Sequence, residues 1–201
     1  MKTEHSLDLT AHFALEGSQP FKDRRATMPW RGAIPVAKEL LSQTWQEVIS
    51  QPTPPRKRLV YLHIPFCATH CTFCGFYQNR FEEDNCARYT NALLREIEME
   101  ADSALHQSAP IHAVYFGGGT PSALSAQDLA RIITALRDKL PLAPDCEITI
   151  EGRVLNFDDA RIDACLDAGA NRFSIGIQSF NSRIRKKMAR TSDGPTATAF
   201  M

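Results

Sequence analysis

The sequence predicts an α/β fold, a partial parallel (β/α) barrel with about four strand–helix units present. Three observations carry this. From Leu59 onward, short apolar runs alternate with amphipathic stretches of helical period. The repeated strand–helix units have the length that a parallel sheet covered by helices requires. Each apolar run also ends on a chemically distinctive residue or loop, as strands of parallel β/α folds do at their carboxyl-terminal edge.

The segment up to Lys57 is irregular apart from one expected helix, Ala37 to Ser50, whose Leu40, Leu41, Trp45 and Val48 form an apolar stripe. Gln51-Pro-Thr-Pro-Pro55 ends it, because prolines cannot donate to a ladder and they stiffen the link. Arg56-Lys57-Arg58 reads as a solvated linker. The expected division is therefore an N-terminal extension and linker over 1–57 and a core over 58–201.

Within the core the expected strands are Leu59 to Pro65, Ile111 to Phe116, Cys146 to Glu151 and Asn171 to Ile177. The expected helices are Glu82 to Leu105, Ala126 to Lys139, Asp158 to Ala168 and Ser179 to Ala189. Tyr89, Leu93, Ile97 and Ala101 share one face of the first helix. The second opens on Ser125-Ala-Gln-Asp128, which resembles a capping box, and runs on through Leu129, Ile132, Ile133 and Leu136. Gly169 is a suitable stop for the third. Thr191 to Met201 reads as a loop opening into a further helix, with Pro195 near its first turn. Four units cannot close a barrel, so the core is expected to be incomplete at its C-terminus, as in a truncated product.

Composition narrows the function. The chain has 201 residues, 43% hydrophobic and 23% charged, with 23 basic and 23 acidic residues. A net charge of zero excludes a strongly basic nucleic-acid binder. No apolar run approaches the roughly 18 residues of a membrane helix. Met1 to Leu15 lacks a signal-peptide core. The expectation is a cytoplasmic protein with neither nucleic acid nor membrane as partner.

Of six cysteines, Cys86, Cys146 and Cys165 lie in expected helices or strands and read as small buried hydrophobes. The other three form Cys67-Ala-Thr-His-Cys71-Thr-Phe-Cys74, directly after a strand. Three close thiolates suit an iron–sulfur cluster or zinc, with incidental cysteines as the remaining reading. A structural zinc site prefers four ligands, and His70 is a cramped fourth between two cysteines. Three cysteines for four irons leave one iron open, as a substrate-binding cluster needs.

Three further features sit at strand ends. Gly117-Gly-Gly-Thr-Pro121 could let a ligand approach the backbone, or could be a tight turn only. Glu151 and Gln178 each end an apolar strand, where they could hold ribose hydroxyls or simply mark the strand end. All four strands finishing in such features on one rim point to a single site.

Tyr61-Leu-His-Ile-Pro-Phe-Cys67, the cysteine loop, Gly117 to Pro121 and Gly176-Ile-Gln-Ser-Phe180 together resemble the HemN-type branch of the radical S-adenosylmethionine (SAM) enzymes. Phe21 to Arg25, Met28-Pro-Trp30, Cys74-Gly-Phe-Tyr-Gln-Asn79 and Glu151-Gly-Arg-Val154 are more finely similar to the HutW/ChuW anaerobic haem-degrading methyltransferases, the anaerobilin synthase-like type. The resemblance implies a [4Fe–4S] cluster on Cys67, Cys71 and Cys74, with SAM on the open iron. It implies that Tyr61, Gly118 and Glu151 contact one SAM, and that Phe73, Gly119, Thr120, Gln178 and Arg190 contact a second. Arg190 could equally belong to a solvated basic helix with Arg183, Arg185, Lys186 and Lys187. His63 could face the substrate or be a satisfied core histidine, and no residue is assigned as catalytic. Arg153 is a speculative partner for a porphyrin propionate.

The resemblance implies an enzyme acting on a haem or porphyrin substrate, by methylation and ring opening of haem, fed by a flavodoxin- or ferredoxin-like electron donor. Oxygen-independent coproporphyrinogen III oxidation is the alternative reaction. A haem-binding chaperone without turnover is the alternative from another class.

Overall fold

The computed structural model describes residues 33–54 and 56–201. Phe21 to Arg25, Met28 to Trp30 and Met1 to Leu15 lie outside the described residues, as does Pro55. The chain divides into two compact units, Met1–Leu41 and Ser42–Met201.

The helix expected over Ala37 to Ser50 is a 3-10 turn, Lys38–Leu40, followed by α1, Leu41–Ile49. Its apolar stripe is not buried: Leu41, Trp45 and Val48 are all exposed. Trp45 instead donates its indole N–H to Glu100 Oε1 at 2.7 Å.

Four strands form one parallel sheet: β1, Leu59–Ile64; β4, Ile111–Gly118; β5, Leu142–Gly152; and β6, Arg172–Ile175. Their spatial order is their order along the chain. Two short strands, β2 (Phe66–Cys67) and β3 (Asn79–Arg80), pair separately and in parallel. β5 begins earlier than expected because Leu142 pairs with Ile111 before the register shifts, around Pro144, which has no N–H to donate.

The helices are α2 (Glu83–Glu100), α3 (Ala104–Gln107), α4 (Ala126–Lys139), α5 (Asp159–Ala168), α6 (Ser182–Lys187) and α7 (Gly194–Ala199). The single helix expected over Glu82 to Leu105 is thus two, because Ser103 turns out of the helix and accepts from His106 N–H as the cap of α3. α6 is shorter than expected at both ends. The Asn181 side chain caps it, accepting from Arg183 and Ile184 N–H, and Ala189 adopts a left-handed φ of 56° beyond it.

The strict period of two then sorts the sheet. Leu62, Ile64, Val114, Phe116, Ile148 and Ile150 are buried in one core with Leu129, Ile132, Ile133 and Leu136 of α4 and Cys165 of α5. Each such side chain contributes about 1.5–3 kcal/mol by burial. Cys86 and Cys146 are buried there too, as small hydrophobes. The opposite face carries Tyr61, His63, Tyr115, Thr149, Glu151, Arg172 and Ser174, and register sets them side by side: Tyr61 against Tyr115, Tyr115 against Thr149, Glu151 against Ser174. One face is hydrocarbon and the other is chemistry.

Candidate functional site

Each strand delivers part of the rim. After β1, the pairs Phe66 with Asn79 and Cys67 with Arg80 close the base of the loop that holds the three cysteines. Phe81 N–H donates to Cys67 O at 2.9 Å and Cys74 N–H to Cys71 O at 3.0 Å, tightening it. The Thr72 hydroxyl reaches Lys187 O at 3.1 Å, tying the loop to the end of α6.

After β4 the glycines are demanded by crowding. Gly118 has a φ of +107°, and a Cβ there would meet His63 at 2.8 Å. At Gly119 a Cβ would meet Phe66 O at 2.8 Å and Cys67 Sγ at 3.0 Å. Its N–H donates to Ile64 O at 2.8 Å, drawing the glycine run over the cysteine loop. Buried Thr120 brings its hydroxyl to 3.2 Å from Cys67 Sγ.

Tyr115 donates its hydroxyl to Glu151 Oε1 at 2.6 Å at the end of β5. Beyond β6, Gln178 takes a left-handed φ of 62° and its Oε1 accepts from Arg190. The Arg190 guanidinium lies over the Phe73 ring, 5.6 Å from its centroid.

These parts enclose one cleft of about 380 Å³. Cys67, Cys71, Phe73 and Cys74 line it from the cysteine loop, Gly119 and Thr120 from beyond β4, Glu151 from β5, and Gln178 and Arg190 from beyond β6. Tyr61 and Gly118 stand just outside it: the Tyr61 ring stacks on Tyr115 at 6.4 Å, and Gly118 pairs with Ile64 beside it. A larger groove of about 1160 Å³ runs along α2 past Arg80, Arg95 and Arg131, and none of the expected site residues lines it. The chemistry-bearing side chains are in the smaller cleft, which is therefore the site.

Electrostatics follow from that enclosure. Burial pushes the Cys67 thiol up, while the Thr120 hydroxyl and the Arg153 charge pull it down. The hydrogen bond to Glu151 raises Tyr115 first, with burial adding to it. Burial and then the Glu151 charge raise Tyr61. Burial lowers Arg190, against the pull of Cys71 and Cys74.

The donor set fits a cluster better than one ion. Cys67, Cys71 and Cys74 are free thiols that line one cleft. Among the described residues, no three His, Cys, Asp or Glu side chains converge as they would on a single metal ion. A four-iron cluster asks for less convergence, since each thiolate binds a different iron. Phe76 N–H donates to Cys74 Sγ at 3.4 Å, the kind of contact that stabilises a ligating sulfur. His70 stacks on Tyr77 at 4.5 Å and reaches Cys74 O at 3.3 Å, so it is engaged with the loop itself.

His63 is neither buried nor alone: Tyr61 Oη lies 3.0 Å from its Nδ1 and Gln78 Oε1 lies 3.2 Å from its Nε2. Arg153 is turned toward Thr69 inside the cysteine loop. Tyr115 and Gln78 were not expected. Tyr115 was readable from its alternation with the core-facing Val114 and Phe116, whereas nothing in the Cys74 to Asn79 stretch singles out Gln78 as the partner of His63.

A model of the radical SAM superfamily matches residues 61–195. Over all 201 residues the chain is 85% identical to an anaerobilin synthase of Escherichia coli O157:H7, covering 100% of this chain and 45% of that protein. It is 37% identical over 130 residues to a Heme chaperone HemW of Synechocystis sp., covering 62% of this chain and 31% of that one. The solved structure of coproporphyrinogen III oxidase (HemN) from Escherichia coli, described as a radical SAM enzyme, matches with a TM-score of 0.68 at 29% identity, over 79% of this chain and 36% of that chain. The chain spans less than half the length of these curated relatives.

Proposed function

Since the chain belongs to the radical SAM superfamily, whose cofactors are a [4Fe–4S] cluster and SAM, we propose that it carries the cofactor-binding part of an enzyme acting on a tetrapyrrole. The reaction is anaerobic methylation and ring opening of haem. The observation that carries this reading is the 85% identity to an anaerobilin synthase over the full chain. Residues 58–201 are the core in this reading, and 1–57 an extension and linker. It includes a cytoplasmic location, where the three cluster thiols stay reduced before the cluster is inserted.

Cys67, Cys71 and Cys74 hold the cluster. The chemistry supplied when both cofactors are bound is reductive cleavage of SAM to methionine and a 5′-deoxyadenosyl radical, with the electron coming from a flavodoxin- or ferredoxin-like donor. The protein's own task is to bind, orient and shield. Tyr61, Gly118 and Glu151 contact one SAM: Tyr115 occupies Glu151 Oε1 and leaves Oε2 to accept from an ammonium or a hydroxyl. Phe73, Gly119, Thr120, Gln178 and Arg190 contact a second SAM, where the planar Arg190 fork suits a carboxylate.

The test is electron paramagnetic resonance on the anaerobically reconstituted, reduced chain with and without SAM. A cluster signal that SAM alters is the expected result. Zinc without acid-labile sulfide would overturn the reading. For the substrate, haem is incubated with SAM and a reduced protein of the relatives' full length that contains this chain, and the expected product is an opened, methylated tetrapyrrole with free iron. Carbon dioxide from coproporphyrinogen III would shift the assignment to the oxidase reaction. Stoichiometric haem binding without 5′-deoxyadenosine would shift it to a chaperone.

A further inference from the structure

Arg153 follows Glu151 by two residues and leaves β5 at the rim. Its side chain does not reach into open space. Nη2 donates to Thr69 Oγ1 at 3.0 Å and Nη1 to Thr69 O at 3.4 Å. Thr69 lies midway between Cys67 and Cys71, in the stretch that sets the separation of the first two thiols. The Arg153 N–H donates to Ser122 Oγ at 3.2 Å, and Ser122 is fully buried in the 3-10 turn that follows the glycine run. One residue therefore joins three rim segments: the cysteine loop, the turn after β4 and the end of β5.

Its charge is also placed. Arg153 lines the cleft that Cys67, Cys71 and Cys74 line. Among the described residues the ion pairs are made by Arg131, Lys139, Arg161 and Arg172, and none by Arg153. The guanidinium thus adds, beside Arg190, a positive charge without an ion-pair partner to the cleft that the thiols and Glu151 line, and its charge is felt at Cys67.

We propose that Arg153 is a positioning residue of the cofactor site, which clamps the cysteine loop through Thr69 and raises the reduction potential of the cluster that the loop holds. The second half rests on the reading of Cys67, Cys71 and Cys74 given above. Cluster potentials respond to net charge, hydrogen bonds to sulfur and exposure, and a nearby cation stabilises the state that has gained an electron. Two of the five guanidinium N–H groups go to Thr69, so the clamp does not depend on whether the others also meet a porphyrin propionate.

Two measurements on the 201-residue chain test the proposal. In the cluster-free chain, alkylation rates of Cys67 and Cys71 report the clamp. T69V, which keeps the charge that draws the Cys67 thiol down, is expected to raise them several-fold, and unchanged rates would overturn it. In the reconstituted chain, a redox titration followed by electron paramagnetic resonance reports the charge. R153Q is expected to move the midpoint to more negative potential, whereas R153K and T69V, which keep the charge, leave it near that of the unaltered chain. An unmoved midpoint in R153Q, or an equal shift in R153K, would overturn the tuning role. If the unaltered chain takes up no iron and sulfide, both the cluster reading and the tuning role fall, while the alkylation result still decides the clamp.

Discussion

Single side chains decide how the cleft can hold a charged ligand. Glu151 would be an unrestrained carboxylate at a strand end but for Tyr115, whose hydroxyl fixes one oxygen at 2.6 Å. Y115F removes that bond without removing the ring stacked on Tyr61, so the sheet should stay intact. We expect SAM to bind the reconstituted chain about tenfold more weakly, a difference of ~1.4 kcal/mol, as measured by equilibrium dialysis. Unchanged affinity would show that Glu151 needs no such support. The cysteines divide in the same residue-by-residue way. Burial pushes the Cys165 thiol up to about 11. The unfolded chain releases this proton near the ordinary value of 9.0 while the folded chain retains it to about 11. Cys165 therefore contributes stability that is complete below pH 9 and lost as pH rises toward 11. A urea midpoint falling over that window in the unaltered chain, and falling less in C165A, is the expected outcome. At this scale the sequence was readable wherever identity alone implied chemistry, as for the three loop cysteines. It was silent on the contact between Arg153 and Thr69, 84 residues apart, because no local pattern records which side chain meets which at that distance along the chain.

Secondary structure was most legible where a local cap and a buried stripe agreed. α4 has both: the Ser125 hydroxyl accepts from Asp128 N–H at 3.0 Å, and Leu129, Ile132, Ile133 and Leu136 are buried, so the expected bounds match. S125A should cost about 1 kcal/mol by leaving a first-turn N–H unsatisfied. Urea denaturation would measure it, and a cost near zero would show that water replaces the cap freely. α1 shows the converse. Its stripe has a helical period as regular as that of α4, yet Trp45 and Val48 are exposed. Periodicity states that a face could be buried; only tertiary packing states that it is. The split of the long helix at Ser103 and the early start of β5 at Leu142 were hidden for a related reason. Each depends on one residue, a capping serine or a proline, that the surrounding apolar pattern outweighs.

At the largest scale, the described residues of the second unit form a parallel sheet with one face packed against α2, α4 and α5. Parallel sheets are ordinarily covered on both faces, and an open hydrocarbon face would drive association. Among the described residues the other face is polar and aromatic, with Tyr61, Tyr115, Thr149, Glu151 and Arg172 in adjacent register. A face of that composition needs far less apolar cover than a hydrocarbon one. The cleft at its rim is assembled from loops that follow β1, β4, β5 and β6, so nothing short of the whole sheet forms it. Binding there must be linked to global folding. A ligand at 100 times its dissociation constant stabilises the native state by about 2.7 kcal/mol. Cluster reconstitution followed by SAM is accordingly expected to raise the urea midpoint of the entire chain, not to order one loop. Hydrogen exchange would resolve the two cases. Slower exchange at the ends of all four strands, spreading into β4 and β5 with α1 unaffected, is the expected pattern. Protection confined to residues 67–78 would mean that the cysteine loop binds the cluster by itself and that the rim does not act as one site.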